Sequence, residues 1–276
     1  MACLLEAASE KPGNVTPTRG FDDLDYTGFL LSSQVVGDVF RRFAARPVGT
    51  IIHEAVRESQ KAAGSNAHLG VILLLAPLAN SYCRRGSLAR GAVSATLSSL
   101  TKKDALLAYK AIAHANPGGL GGAPEQDVRK KPDVTLRDAM RLAAGRDSIA
   151  YEYAHGFPIT FGLGAPEMKE NIDAGLPPRE AVVQTFLGIM SRYPDTLIAR
   201  KNGPEMAQRA AEEAGRILGL GGMFSTRGRK AVYEFDQALR IGANILNPGT
   251  TADLTAAALF VYFIKYGYGA LKKKKG

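Results

Sequence analysis

Apolar residues recur at three- and four-residue spacing in segment after segment of this chain, and sustained alternation with polar residues is nearly absent. The first period buries one face of a helix; the second would bury one face of a strand. The helical pattern covers residues 26–45, 49–63, 67–82, 87–98, 102–115, 135–144, 179–192, 205–215, 229–242 and 250–266, and the first nine residues, MACLLEAAS, read as a further helix. Start signals sharpen two of them: Thr101 precedes Lys102-Lys103-Asp104, and Pro177-Pro178 precedes Arg179. Prolines and glycines fall mainly between the segments. The predicted fold is all-α, a compact multi-helix bundle of roughly ten or more helices. Residues 1–270 are expected to form a single domain, and 271–276 a basic tail.

A chain of 276 residues with 46% hydrophobic content can bury a sizeable core. Its most apolar stretch, LGVILLLAPLA, is too short to cross a bilayer and reads as a buried helix. The N-terminus lacks the basic stretch, apolar core and cleavage site of a secretory signal. Cys3 and Cys83 are too far apart to suggest a metal cluster or a disulfide framework, so a cytoplasmic protein is expected. The net charge of +9 favours anionic partners. The basic residues are scattered, without interleaved aromatics, so no nucleic acid and no membrane is expected among those partners.

Several polar motifs interrupt the helices. KPGN follows the first helix; Pro12 cannot continue it, and Lys11 with the bared amides of Gly13 and Asn14 suits either a plain turn or an anion site. GSNAHLG places Asn66 and His68 before the apolar run, and YEYAHGFP sets Glu152 and His155 three apart on one face. RYPDTLIARKNG carries Asp195 with Arg200 and Lys201, and LNPGTTADLTAAALF carries Asn247, Gly249 and Asp253. Helix capping explains Asn, Thr and Asp at such places. It explains Asp253 least well, because that carboxylate enters an apolar helix, where it needs a partner or a cation. The stretch 116–134, NPGGLGGAPEQDVRKKPDV, is a long Gly/Pro-rich connection of the kind that serves as a binding loop, with its segment 117–128 expected to close over substrate. Walker, Rossmann, HExxH and GxSxG patterns are absent.

In this order the blocks LLEAASEKPGNV, FDDLDY, GSNAHLG, PDTLIARKNG and NPGTTADLTAAALF resemble the triphosphoribosyl-dephospho-CoA synthase family. The chain departs from the family pattern at Ala67 and Leu69, where Thr and Lys are expected, and at Leu197, where an amide is expected. The long glycine-rich loop looks more like members from methanogens and one-carbon-metabolising bacteria. The resemblance implies transfer of the triphosphoribosyl group of ATP to the 2′-hydroxyl of dephospho-CoA with release of adenine. A related ribosyl or phosphoribosyl transfer to a pterin-type acceptor, or non-catalytic nucleotide binding, is the alternative. It further implies Mg²⁺ held by Asp195 and Asp253, with His68, Glu152 and Asp253 as the catalytic set. Lys11, Gly13, Asn14, Asn66, Arg200, Lys201, Asn247 and Gly249 would bind substrate or its phosphates. ATP and dephospho-CoA, or a related acceptor, are the expected partners, and a homodimer is compatible with this reading.

Overall fold

The computed structural model describes residues 1–20, 25–64, 68–117, 125–241 and 245–272. Among them are fourteen α-helices. They are α1 (Ala2–Ala7), α2 (Tyr26–Phe43), α3 (Val48–Ala63), α4 (Leu69–Arg85), α5 (Arg90–Ser98), α6 (Lys102–Ala115) and α7 (Leu136–Ala143). There follow α8 (Ser148–His155), α9 (Ala165–Asp173), α10 (Pro178–Arg192), α11 (Thr196–Asn202), α12 (Pro204–Gly219), α13 (Thr226–Leu239) and α14 (Gly249–Tyr266). Among the described residues the one β-type pairing is an isolated bridge between Thr16 and Arg19. The all-α expectation therefore holds. The periodicity missed the short helices α9 and α11 and a π-turn at Thr160–Gly164, where too few turns exist for a face to repeat. Residues 21–24 of the acidic block, Asn66 and Ala67, 118–124 of the glycine-rich loop, and 273–276 of the tail lie outside the described residues. So does the expected closure of the 117–128 loop. None of the helices described is long and apolar enough to cross a membrane.

The helices group into two compact units. One, Thr27–Pro158, carries α2 to α8, and α3 packs along α6. Gly49 makes that approach possible: a Cβ there would lie 2.5 Å from the Asp104 Cα. Asp104 then serves both helices. Its Oδ1 accepts from Gly49 N at 2.8 Å, and its Oδ2 accepts from Thr101 N at 2.9 Å. Together with the Thr101 hydroxyl this completes the capping box of α6.

Within the same unit α4 runs through Pro77, deep in its apolar stretch. Proline has no N–H, so the Leu73 carbonyl four residues back loses its helical donor. The Tyr153 hydroxyl of α8 donates to that carbonyl at 2.6 Å. Tyr153 is fully buried, and burial pushes its phenol well above the ordinary range. One side chain thus repairs the helix and pins α8 to α4.

The second unit comprises Met1–Tyr26 and 159–276. One apolar cluster joins α10, α12 and α13, with Ala252 of α14. Another joins α1, α9, α10 and α14 through Ala2, Met168, Val182 and Leu259. Leu254, Ala256, Ala257, Ala258 and Val261 of α14 are all buried, as befits a helix that is apolar on every side. Gly164 brings the π-turn against it; a Cβ there would stand 2.8 Å from that of Ala258.

Tyr153→Phe should destabilise the protein by about 1–3 kcal/mol, because it strands the buried Leu73 carbonyl. In a Pro77→Ala background the restored N–H reaches that carbonyl, and the same substitution should cost clearly less. Urea denaturation of the four proteins in this cycle measures the coupling; equal costs in both backgrounds would refute the repair.

Candidate functional site

The helix α1 ends before Lys11, and the KPGN turn begins with that lysine folded inward. Its ammonium forms an ion pair with Glu6 Oε1 at 3.0 Å and donates to the carbonyls of Glu6 and Ser9, the latter at 3.2 Å. Lys11 and Glu6 are both buried. Burial raises the Glu6 carboxyl and the Lys11 charge opposes that rise. In this structure the Lys11 ammonium faces protein acceptors. Its three N–H donors are taken by carbonyls at the C-terminal end of a helix and by one carboxylate, the acceptors such an end offers to a cation.

The rest of the turn is clamped from the far end of the chain. Gly13 has φ +69°, and a Cβ there would lie 2.9 Å from Leu239 Cβ and Pro248 Cδ. Its N–H donates to Asp236 Oδ1 at 2.8 Å, so this amide faces protein rather than an anion. Asn247 Nδ2 donates to Gly13 O at 2.8 Å and to Asn14 Oδ1 at 3.3 Å. Arg240 donates to Asn14 O at 2.5 Å and, through Nε, to both Asp236 oxygens at 2.9 Å. Arg19 donates to Asp236 Oδ2 at 2.6 Å, and its guanidinium lies over the Tyr233 ring. The K-P-G and N-P-G motifs, some 230 residues apart in the chain, are thus one structure. Asp236, Arg240 and Arg19 were not anticipated, although Asp236 and Arg240 stand i,i+4 on α13, a spacing that marks an ion pair.

Asp195 caps α11. Its Oδ1 accepts from Leu197 N at 2.8 Å and Ile198 N at 3.0 Å; its Oδ2 accepts from Thr251 N at 2.7 Å and Thr251 Oγ1 at 2.8 Å. The residue is buried, which raises its carboxyl, while these hydrogen bonds pull it down. Asp195 therefore accepts four hydrogen bonds, two on each oxygen. Gly249 opens α14 where a Cβ would meet Leu197 Cδ2 at 2.8 Å. Arg200 and Lys201 are exposed near the end of α11, and Asn202 of that helix donates to Ile245 O at 2.8 Å. That bond ties the end of α11 to the segment that leads into Asn247.

Asp253 is half-buried on the first turns of α14. Its charge is close enough to raise the Cys3 thiol, which burial chiefly, and Glu6 as well, push up to about 12. No group of three His, Cys, Asp or Glu side chains among the described residues could hold a metal ion.

In the other unit His68 is buried at the start of α4. Ser32 Oγ lies 2.6 Å from its Nδ1 and Ser33 Oγ 3.4 Å from its Nε2. Glu152 is fully buried in α8, whereas His155 is exposed and bonds to the Tyr151 carbonyl at 3.0 Å. The pair expected on one face is thus divided between core and solvent. A spacing of three residues turns a helix by 300°, so on the short α8 the two side chains diverge across its boundary with the core.

Lys11→Ala should cost about 3–5 kcal/mol in urea denaturation, because it leaves the Glu6 carboxylate buried without its cation. Lys11→Met combined with Glu6→Gln should recover most of that loss. A fully stable Lys11→Ala protein with weakened ATP binding would instead restore the lysine to the phosphate. In the native protein iodoacetamide should modify the exposed Cys83 and spare Cys3, since the thiolate is the nucleophile; peptide mapping checks this.

The chain is similar to proteins of one enzyme family. A synthase of Pectobacterium atrosepticum that makes 2-(5''-triphosphoribosyl)-3'-dephosphocoenzyme-A is 26% identical over 274 residues, covering 91% of this chain and 82% of that protein. A probable synthase of the same name from Pseudomonas syringae pv. tomato is 33% identical over 119 residues, 43% of this chain and 40% of the relative. A Pseudomonas putida relative is 34% identical over 136 residues, 48% of its length, so these alignments span less than half of the Pseudomonas proteins. A crystal structure from Archaeoglobus fulgidus, described as a triphosphoribosyl-dephospho-CoA synthase, superposes with a TM-score of 0.66 at 29% identity, covering 86% of this chain and 99% of that one. The family model for CitG, ATP:dephospho-CoA triphosphoribosyl transferase, matches residues 1–271, both compact units included, and the chain belongs to that family.

Proposed function

We propose that this protein transfers the triphosphoribosyl group of ATP to the 2′-hydroxyl of dephospho-CoA. The observation that carries the reading is the family match from residue 1 to residue 271. That span also supports reading residues 1–270 as one transferase domain, built of two compact units and followed by a basic tail. In the reaction the 2′-oxygen bonds to the anomeric carbon of the ATP ribose, and the bond from that carbon to the adenine nitrogen breaks. The hydroxyl proton passes to a base, and the departing adenine takes up a proton. The sugar passes through an oxocarbenium-like state that a carboxylate stabilises.

His68 is the proposed base, since a neutral imidazole accepts a proton near neutral pH. Glu152 and Asp253 are the proposed carboxylates. Arg200, Lys201, Asn14, Asn66 and Asn247 are the proposed contacts to substrate and triphosphate, with Lys11, Gly13 and Gly249 shaping the turns that carry them. Mg²⁺ is expected to arrive on the triphosphate, whose charge it neutralises and whose oxygens supply most of its ligands; Asp253 is the acid proposed to face it. A cytoplasmic location is proposed for the reaction, where both substrates are at hand.

One observation favours a second acceptor. Leu69, the first residue of α4, stands where the family pattern has a lysine beside the histidine, and Ala67 replaces a threonine. Loss of that charge and hydroxyl, with a long loop at 116–134 that looks more like members from methanogens and one-carbon-metabolising bacteria, suits a pterin-type acceptor in place of dephospho-CoA.

Adenine release from ATP, followed by chromatography with each acceptor, separates the readings. Release that depends on dephospho-CoA supports the first, and release that depends on a pterin acceptor supports the second. No release with either overturns both. Asp253→Asn should fold and lower turnover more than about 100-fold, the lower range for loss of a group that stabilises transition-state charge. A folded variant with full activity would remove Asp253 from the site.

A further inference from the structure

A groove between α12 and α13, wholly within the second unit, has no part in the chemistry proposed for His68, Glu152 and Asp253. Its volume is about 390 Å³, the size of a pocket for a small organic ligand. Met206, Ala210, Phe235, Leu239 and Leu246 give it an apolar floor, and four charged side chains stand around them. The two ends differ. At one end the floor runs into the polar knot: a Cβ on Gly13 would lie 2.9 Å from Leu239 Cβ, and Leu246 precedes Asn247, which donates to Gly13 O at 2.8 Å. The start of α12 belongs to this end, because Asn202, just before it, donates to Ile245 O. At the other end Arg216 donates to Glu213 through Nε at 2.8 Å and Nη2 at 2.6 Å, and Glu234 is close enough to act on the Arg216 charge. Arg209 stands between, two helical turns nearer the knot than Arg216. It is exposed and makes no hydrogen bond or ion pair with another of the described residues.

We propose that this groove takes the pantetheine arm of dephospho-CoA, with Arg209 on the pyrophosphate that joins the arm to the adenosine. The inference rests on dephospho-CoA as the acceptor and names the part of the chain that recognises it. The reacting 2′-oxygen belongs to the adenosine ribose, so the arm takes no part in making or breaking bonds. What it supplies is binding, which a groove beside the knot converts into orientation of the ribose. The arm is amphipathic, and the groove matches it. Its dimethyl carbon and methylenes suit the apolar floor. Its two amides suit the outer rim: Arg216 spends two of its five N–H groups on Glu213 and keeps the others for a carbonyl, while Glu234 can accept from an amide. A guanidinium without a protein partner is the group best shaped to hold two phosphate oxygens at once. The order along α12, Arg209 and then Arg216, sets the pyrophosphate toward the knot and runs the arm away from it.

The test follows the Met206 methyl of the full-length protein by ¹³C NMR, assigned with Met206→Leu, alongside adenine release. Dephospho-CoA should shift that methyl, and adenosine 5′-diphosphate, which lacks the arm, should not. A methyl that ignores dephospho-CoA, or that answers equally to the diphosphate, overturns the proposal. Arg209→Ala should raise KM for dephospho-CoA about tenfold or more, the range for losing a hydrogen bond to a charged group, while KM for ATP holds. Ala238→Phe, which fills the groove from an exposed helical position, should raise it at least as far. Arg209→Ala serves alone if Ala238→Phe does not fold. A wild-type KM in either folded variant overturns the proposal. So does self-association that Ala238→Phe abolishes, since a second copy of the chain would then occupy the groove. Failure of the acceptor reading looks different: adenine release would not depend on dephospho-CoA at all, in the wild type or in either variant.

Discussion

Two carboxylates hold the unit formed by the chain ends in register. Asp236 accepts from the Gly13 amide, Arg19 and Arg240; Asp195 accepts from two amides of α11 and from the amide and hydroxyl of Thr251 in α14. A buried amide without an acceptor costs about as much as several favourable contacts supply, so each of these carboxylates is a fixed requirement rather than an ornament. Asp195 also brings negative charge to the starts of α11 and α14, where it is favourable. Through them the first fourteen residues, α11, α13 and the start of α14 become one polar knot seated on the apolar clusters below.

This knot changes what the family motifs mean physically. Lysine, glycine and asparagine beside a broken helix read as an anion cradle, yet here Lys11 closes the end of α1 and Gly13 gives its amide to Asp236. Residues that resemble ligand contacts act first as the scaffold that shapes the turn. At the rim of the knot Arg200 and Lys201 are exposed and Asp253 is half-buried.

In the other unit the same economy of polar groups takes a different form. Asp104 serves two helices, the Tyr153 hydroxyl replaces an N–H that Pro77 lacks, and Ser32 and Ser59 meet at His68. In the first two cases one polar group removes a defect that another residue creates, and the defect is what makes the pairing specific.

The amino-acid sequence by itself determined the all-α class, the extent of the longer helices and the family. These depend on local periodicity, on Gly and Pro at boundaries, and on motif blocks read in order. It could not show that His155 leaves the face it shares with Glu152, since a short helix repeats too few times to define its buried side. Nor could it show which acids are occupied. Asp195 and Asp253 look alike as letters, but one is buried and accepts from four donors while the other stands half-buried. Only the tertiary structure decides that, because hydrogen-bond acceptors are filled by whatever the fold brings near, and Thr251 lies 56 residues from Asp195 in the chain.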